Sequence, residues 1–165
     1  MHTGLTIRDV HLGDHLIADR EGTLICDIDG TIANISHRAV HVMKQPKDWK
    51  AFEKNMHLDK PVPHVIEAVT SLHDWGWSVL LCTGRWERSR RDTESWLAEH
   101  GVPYHGLHMR PSGDYRIDAE VKSELLDQII SEGHAPTLVF EDRNQVVEMW
   151  RARGLTVVQV AHGDF

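Results

Sequence analysis

The sequence has few of the features that mark secreted or membrane proteins. Only two of its 165 residues are cysteines, Cys26 and Cys82, too few for the disulfide framework of a small secreted domain. No run approaches the roughly 20 apolar residues that a membrane-spanning helix requires, and the first residues lack the apolar core of a signal peptide. We therefore expect one cytoplasmic globular domain over residues 1–165, with no membrane association.

Basic residues are fewer than acidic ones: the sequence has 18 Lys and Arg against 25 Asp and Glu, which gives a net charge of −7. A chain with this balance does not coat nucleic acid nonspecifically, so any contact with nucleic acid must be local. The local candidates are four arginines and three aromatic side chains near them or upstream: Arg85, Arg88, Arg90, Arg91, Trp49, Phe52 and Trp86. The alternatives are ion pairs along one helix for the arginines and core positions for the aromatics.

Strand-length apolar runs recur along the chain and are nearly continuous, which is typical of strands covered on both faces. They cover residues 23–28, 78–83, 137–140 and 155–160. Helical patterns lie between them at 63–75, 117–131 and 144–153, and glycines at 76, 101 and 154 are suited to end helices. This alternation predicts a three-layer α/β fold with a parallel sheet, whose ligands lie beyond the carboxyl ends of the strands.

Residues 34–62 interrupt this alternation. The segment is longer than an ordinary crossover and carries a partly amphipathic helical pattern. We predict a small helical insertion there, placed like a cap over the functional end of the sheet. Residues 1–22 have no clear pattern and are compatible with an edge strand and a loop.

Two carboxylates end the first predicted strand, in the segment CDIDGT, with Asp27 and Asp29 one residue apart. An Asp-Gly pair alone indicates only a turn. Two acids leaving one buried strand repel each other unless a cation or a titrating role accounts for both. Oxygen ligands favour Mg²⁺, and a carboxylate can attack a phosphoryl group while a second one protonates the leaving oxygen. The pair therefore indicates phosphoryl chemistry.

Such chemistry also needs donors for the phosphate oxygens, a fixed cation and further acids. Later segments offer a candidate for each: Thr83-Gly84-Arg85, Lys122 and the pair Glu141-Asp142. Each has a structural alternative, namely an ordinary Thr-Gly loop, a solvated surface lysine and a helix-capping acid. Asp118 begins a helical pattern and is placed to cap it.

Taken in order, the motifs Asp-x-Asp-Gly-Thr, Thr-Gly-Arg, Lys and paired acids resemble those of the haloacid dehalogenase (HAD) superfamily of phosphotransferases. From about residue 24 to residue 165 the chain is also similar to the 3′-phosphatase domain of bacteriophage polynucleotide kinase/phosphatases, above all in residues 100–126 and 140–165. The resemblance implies a HAD-like (Rossmannoid) sheet. It also implies removal of 3′-phosphate from DNA or RNA ends, in the service of end repair, in a bacterium or a phage-infected host cell.

The resemblance implies roles for individual residues as well. Asp27 would be the nucleophile, Asp29 the general acid/base, Thr83 and Lys122 the ligands of the phosphate oxygens, and Arg85 with the adjoining Gly84 a substrate contact.

The same resemblance implies a Mg²⁺ ion held by Asp27, by the backbone carbonyl of Asp29 and by Asp142 or Glu141. The Glu-Asp pair stands where the family usually has Asp-Asp, which leaves open which of the two acids binds the ion directly. Asp118 matches a further acid of the family's substrate site, in competition with its capping role.

No G-x-x-x-x-G-K-[ST] motif occurs in the sequence, so the resemblance implies a phosphatase module without a kinase half. A separate polynucleotide kinase or ligase is then a possible partner. Two other functions stay open: a nucleotidase for free mononucleotides or other small phosphate esters, and a non-catalytic phosphoacceptor or binding module. Polymer preference and oligomeric state stay open too.

Overall fold

The computed structural model describes residues 22–163, so the edge strand and loop considered for residues 1–22 fall outside it except at Gly22. The strands are β1 (Thr23–Cys26), β2 (Ala33–Asn34), β3 (Lys60–Pro61), β4 (Ser78–Trp86), β5 (Gly106–Arg110), β6 (Leu138–Arg143) and β7 (Thr156–Gly163). The α-helices are α1 (Ser36–Met43), α2 (Trp49–Lys54), α3 (Pro63–Asp74), α4 (Arg90–Glu99), α5 (Asp118–Ser131) and α6 (Asn144–Ala152), and 3₁₀ helices span Met56–Leu58 and Glu87–Ser89.

Five strands form one parallel sheet in the order β5-β4-β1-β6-β7. The chain leaves β1 toward β4 and β5 on one side and then returns to β6 and β7 on the other. A parallel sheet of this kind binds ligands at such a reversal point, beyond the carboxyl ends of the strands. The predicted α/β class is confirmed, and the functional edge lies after Cys26.

Helices cover both faces of the sheet, which gives three layers. Along β1, Leu24 and Cys26 pack into one core with side chains of α3 and α4, while Ile25 packs into a second core with α5 and α6. This alternation follows from the two-residue period of a strand. It also explains why the strand patterns are continuously apolar.

The structure differs from the sequence-based expectations in three places. The strand β5 was not predicted, because only five residues with two polar members form it. Asp118 is the first residue of α5 and makes no side-chain cap, since the capping position is Ile117; the capping prediction is wrong. Lys122 is 1% exposed, so the surface-lysine alternative is wrong.

Residues 34–62 hold α1, α2, a 3₁₀ helix and the outer ends of a short antiparallel pair formed by β2 and β3. That pair brings the two ends of the segment together at the base, with Ala33 opposite Pro61. The segment is helical, as expected, and its action as a cap stays a prediction. None of the helices within residues 22–163 is long and apolar enough to cross a membrane.

Candidate active site

The turn after β1 places the two predicted acids at the edge of the sheet. The carbonyl of Ile28 accepts hydrogen bonds from the backbone N–H groups of Thr31 and Ile32, while the Ile28 side chain is fully buried in the core. Gly30 has φ of 88°, and a Cβ atom there would collide with the carboxylate of Asp142. Glycine is therefore required at this turn, both for its backbone conformation and for the close approach of the last acidic pair.

Asp27 lies in a buried group of charges that we call the acidic cluster, formed by Asp27, Lys122, Glu141 and Asp142. The ammonium of Lys122 donates to Asp27 Oδ1 at 2.7 Å and to Glu141 Oε2 at 2.8 Å. The hydroxyl of Thr31 donates to Asp27 Oδ2 at 3.1 Å. One oxygen from each of the three acids lies within 4.8 Å of the others. A single lysine thus faces three buried carboxylates.

Donors of the chain itself occupy both carboxylate oxygens of Glu141. Its Oε1 accepts from the backbone N–H groups of Asp142 and Arg143, at 3.2 and 3.3 Å. Its Oε2 accepts from Lys122 and from the indole N–H of Trp150, the latter at 3.3 Å. This acid is therefore fixed in place by β6, α5 and α6, and it in turn orients the lysine.

The acidic cluster carries more negative charge than its environment stabilises. Burial, followed by the charges of Glu141 and Asp142, raises the pKa of Asp27 well above its ordinary value, with Lys122 opposing the shift. Burial and the charge of Glu141 likewise raise the pKa of Asp142. Although burial favours its neutral form, the charges of Asp27 and Glu141 raise the pKa of Lys122. A divalent cation would relieve this repulsion, and oxygen ligands of this kind suit Mg²⁺.

Asp29 lies in a different set of charges, which we call the arginine clamp: Asp29, Asp59, Arg38 and Arg85. Asp29 Oδ1 accepts from Arg38 Nη2 at 2.7 Å and from Arg85 Nε and Nη2 at 2.9 and 2.6 Å. Asp59 accepts from both arginines, from Arg38 at 2.7 and 2.6 Å and from Arg85 at 2.8 Å. Two acids and two arginines thus balance in charge.

The arginine clamp fixes the ionisation state of Asp29. Burial opposes ionisation, but the charges and hydrogen bonds of Arg85 and Arg38 outweigh it and lower the pKa of Asp29 to about 2. The clamp is itself held from outside, because the indole N–H of Trp96 donates to the backbone carbonyl of Asp59 at 2.8 Å. The guanidinium of Arg38 also lies over the ring of Phe52, 4.2 Å from its centroid.

A separate ion pair, between Arg110 and Asp118, lies next to Lys122 of the acidic cluster. Arg110, on β5, donates to Asp118 Oδ1 at 2.9 Å and to the backbone carbonyl of Gly84 at 3.1 Å. Asp118 Oδ2 lies 3.6 Å from the ammonium of Lys122. A Cβ atom at Gly84 would come within 2.6 Å of Asp118 Oδ1, so glycine permits this close packing.

One cavity of about 500 Å³ brings the predicted site residues together. Eight of the nine line it: Asp27, Asp29, Gly84, Arg85, Asp118, Lys122, Glu141 and Asp142. The ninth, Thr83, is fully buried, and its hydroxyl oxygen accepts from the backbone N–H of Arg85 at 3.2 Å. The insertion also contributes to the walls, through side chains such as Trp49 and Phe52.

Three charged residues of the site have no counterpart among the sequence-based candidates: Arg38, Asp59 and Arg110. Arg38 and Asp59 lie 21 residues apart within the insertion, where no motif marks them. Arg110 lies on the strand that the sequence pattern did not reveal. Its place at the end of the short strand GLHMR, next to the buried Met109, is the one signal that could have identified it.

Comparison with known proteins identifies the family of this chain. A family model described as the polynucleotide kinase PNKP phosphatase domain, of the HAD type, matches residues 21–165. The chain belongs to this family. It is therefore a hydrolase with a HAD-type polynucleotide phosphatase domain, as the resemblance implied.

Two relatives place this domain within larger proteins. A protein of Autographa californica nuclear polyhedrosis virus, named as a bifunctional polynucleotide kinase/RNA ligase, is 27% identical over 129 residues, which cover 78% of this chain and 17% of that one. The structure of a Pnkp1/Rnl/Hen1 complex contains a chain that is 31% identical, with a TM-score of 0.75, covering 89% of this chain and 48% of that one. The chain thus spans less than half the length of either relative.

A more distant structure shows the fold alone. The class C acid phosphatase from Bacillus anthracis is 17% identical, with a TM-score of 0.65, over 92% of this chain and 72% of that one. This similarity confirms the HAD-like α/β fold without reference to a substrate.

Proposed function

We propose that this protein is a Mg²⁺-dependent phosphomonoesterase that removes 3′-phosphate from DNA or RNA ends through an aspartyl phosphate on Asp27. The observation that carries the proposal is the acidic cluster itself, in which a buried Asp27 touches Lys122 beside two further buried acids. A purely structural arrangement gains nothing from three carboxylates around one lysine. A site that binds a cation and a phosphate does.

In the first step, an oxygen of Asp27 attacks the phosphorus, and the bond between phosphorus and the 3′-oxygen breaks. Asp29, protonated once the incoming phosphate has drawn Arg85 away from it, gives its proton to the departing 3′-oxygen, which leaves as an alcohol. In the second step, water attacks the phosphorus of the aspartyl phosphate, Asp29 takes the proton of that water, and inorganic phosphate leaves Asp27 as a free carboxylate.

Asp27, the backbone carbonyl of Asp29 and Asp142 are the groups that would hold Mg²⁺. Glu141 is less suited to direct ligation, because both of its oxygens accept hydrogen bonds from Lys122, Trp150 and the backbone. Its task is to hold Lys122 toward Asp27. When bound, the ion supplies positive charge for the phosphoryl oxygens and for the crowded carboxylates.

The phosphate oxygens would be bound by Lys122 and Arg85, with Thr83 and the backbone of Gly84 at the end of β4. Asp118 holds this wall in place through its contacts with Arg110 and Lys122. Arg85 is shared, since it donates to Asp29 in this structure. An incoming phosphate competes for those donors, and each one withdrawn raises the pKa of Asp29 toward values at which it can carry a proton.

The polynucleotide substrate is inferred from the relatives, whose names refer to polynucleotide kinase, RNA ligase and an RNA repair complex. End repair with a separate kinase or ligase, in the cytoplasm, follows as part of the same proposal. Residues 34–62 would then act as a cap over the substrate.

The test is phosphate release from a 3′-phosphorylated oligonucleotide, with Mg²⁺ and with EDTA. Wild type should release phosphate only with the metal, and Asp27→Asn should lower the rate at least about a thousandfold. Asp92→Asn, the same change at an exposed acid of α4, is the matched control and should behave as wild type.

Release of phosphate by Asp27→Asn at the wild-type rate, or no release by wild type, would contradict the proposal. Preference for 3′- or 5′-mononucleotides would favour the nucleotidase, and a stable phosphoprotein without turnover would favour the phosphoacceptor.

A further inference from the structure

A second concave region adjoins the catalytic cavity and differs from it in charge. It has a volume of about 700 Å³, and we call it the outer groove. Its cations are Lys44, Lys47, Lys50 and Arg88, and its one acid is Asp48. The carboxylate of Asp48 accepts from the backbone N–H of Ala51 at 2.9 Å and caps α2. In a chain of net charge −7, this groove is a local concentration of positive charge.

The three lysines are available to a ligand. All are exposed, and none forms an ion pair with another residue between 22 and 163. The ammonium of Lys47 lies over the ring of Trp49, 5.5 Å from its centroid. The fourth cation, Arg88, is held by Glu53 and lies over the ring of Trp86, 3.9 Å from its centroid. The groove therefore combines one anchored arginine with three solvated lysines, which suits a flexible polyanion more than a single fixed anion.

Aromatic side chains alternate with these cations. Trp49 and Tyr115 are 46% and 76% exposed, and the ring of Trp86 meets that of Tyr115 edge to face, with centroids 5.0 Å apart. Exposed aromatic rings between cations form the surface on which unpaired bases stack while the phosphates between them are neutralised. Paired bases in a duplex offer no free faces to such rings.

The outer groove is continuous with the catalytic cavity. Lys47, Trp49, Trp86 and Tyr115 line both of them. A chain that enters the cavity by its 3′ end therefore has its preceding nucleotides beside these residues.

We propose that the outer groove binds the single-stranded nucleotides that precede the 3′-phosphate. The proposal rests on the proposed function, and it adds that the substrate is an unpaired polynucleotide end. The phosphates lie along the lysines and Arg88, and one or more bases stack on Trp49 and on the Trp86–Tyr115 pair.

Binding can be measured without any catalysis, by fluorescence anisotropy with a labelled single-stranded oligonucleotide that ends in a 3′-hydroxyl. The double variant Lys44→Gln/Lys50→Gln should weaken binding at low salt and reduce the slope of log affinity against log salt by about 0.7 for each lost phosphate contact. Lys54→Gln/Lys60→Gln removes the same charge at exposed lysines outside the groove and should bind as wild type.

Stacking is tested at Trp49. Replacement of Trp49 by Ala should weaken binding about tenfold, and Trp49→Phe should restore most of it. Trp75 is 69% exposed and lies outside the groove, so Trp75→Ala is the matched control. A strand of abasic residues with the same length and charge should bind to wild type at least as weakly as the natural strand binds to Trp49→Ala, because it also loses stacking on the Trp86–Tyr115 pair.

The catalytic comparison uses 3′-phosphorylated substrates of increasing length, from a mononucleotide to a decamer, and a blunt duplex. The kcat/KM of wild type should rise over the first few nucleotides, and the Lys44/Lys50 variant should lose that rise while its rate on the mononucleotide is unchanged. Equal binding by both lysine pairs, equal binding of abasic and natural strands, or a blunt duplex processed as fast as the single strand would overturn the groove proposal. Absence of phosphate release from every substrate would instead contradict the phosphatase proposal, and the anisotropy comparison would still decide the groove.

Discussion

Asp27 and Asp29 stand one residue apart on the same turn, yet the acidic cluster and the arginine clamp give them opposite surroundings. The acidic cluster holds three carboxylates and one lysine, which bonds to Asp27 and Glu141, and the pKa of Asp27 is raised by burial and by its acidic neighbours. Two carboxylates share two arginines in the clamp, and despite burial Arg85 and Arg38 lower the pKa of Asp29 to about 2. The acids of the acidic cluster outnumber its one lysine, whereas the clamp contains two acids and two arginines. A cation bound beside Asp27 would lower its pKa, and a phosphate that draws Arg85 away from Asp29 would raise the pKa of Asp29, so both groups would move toward the ionisation states that a nucleophile and a general acid require.

The largest expected effect is a loss in the free energy of unfolding when an arginine of the clamp is replaced. Arg38→Gln leaves Asp59 buried with one fewer arginine, and breaking a buried ion pair on one side costs about 3–5 kcal/mol. We expect urea unfolding to show a loss of that size in the free energy of unfolding. Arg91→Gln, at an exposed arginine of α4, should change it by less than about 1 kcal/mol. Equal effects of the two variants would mean that the clamp does not stabilise the fold.

Removal of a charge from the acidic cluster should increase the free energy of unfolding, whereas removal of a charge from the clamp decreases it. Asp142→Asn removes one of the repelling charges, so without metal it should raise the free energy of unfolding at neutral pH by about 2 kcal/mol. Mg²⁺ should stabilise wild type by an amount that grows with the logarithm of its concentration once the site is largely filled, and it should have little effect on this variant. Thermal unfolding with EDTA and with Mg²⁺ measures both effects. A wild type that Mg²⁺ does not stabilise would show that the cluster binds no such ion.

The pH dependence of stability should separate the two acids. The pKa of Asp29 is about 2 in the folded protein and about 3.9 in an unfolded chain, so its contribution is full above about pH 4 and is lost as the pH falls toward 2. Asp29→Asn should therefore be less stable than wild type by roughly 2 kcal/mol at pH 7, and the gap should narrow below pH 4. A gap that stays constant down to pH 3 would contradict the lowered pKa.

The stability difference between Asp142→Asn and wild type should have the opposite sign from that of Asp29→Asn, and it should change over a higher pH range. The pKa of Asp142 is raised in the folded protein, so ionisation of this group lowers the free energy of unfolding of wild type. The stability that Asp142→Asn gains over wild type is therefore largest above that pKa. The advantage should shrink as the pH falls toward the ordinary pKa of Asp, because a protonated Asp142 resembles Asn. Urea titrations at several pH values, without metal, measure this smaller effect. An advantage that grows toward acid pH would contradict it.

The same two regions show what the sequence could predict. The strand patterns predict that Asp27 and the pair Glu141-Asp142 lie at one edge of the sheet, and the resemblance adds Lys122 from a helix; the structure brings all four together. The clamp was only half predicted, because Arg38 and Asp59 come from an insertion whose helices carry no motif and meet Asp29 only through tertiary packing. For Asp118 the sequence left two roles open, a helix cap and an acid of the family's substrate site, and the structure excludes the cap. The partner of Asp118, Arg110, lies on the missed strand β5, and a short ion pair outweighs a local cap.

The arginines between residues 85 and 91 show both of the roles that the sequence allowed, contact with substrate and ion pairing along one helix. Arg90 pairs with Glu87 and Glu94 along the helix start, which is the structural alternative. Arg85 enters the clamp, and Arg88 faces the outer groove. Spacing alone could not separate these neighbours, because β4 ends in an irregularity between Thr83 and Trp86 that turns successive side chains to different surroundings.

The most direct test of the division between the two acids is to trap the phosphorylated enzyme. A single turnover with a 3′-phosphate that carries a radiolabel, stopped with acid, should leave label on the peptide that contains Asp27. The label should appear more slowly and persist longer in Asp29→Asn, because Asp29 serves both formation and hydrolysis of the aspartyl phosphate, and it should be absent in Asp27→Asn and in EDTA. Labelled inorganic phosphate formed at the wild-type rate by Asp27→Asn, with no label on the protein in any variant, would contradict the account.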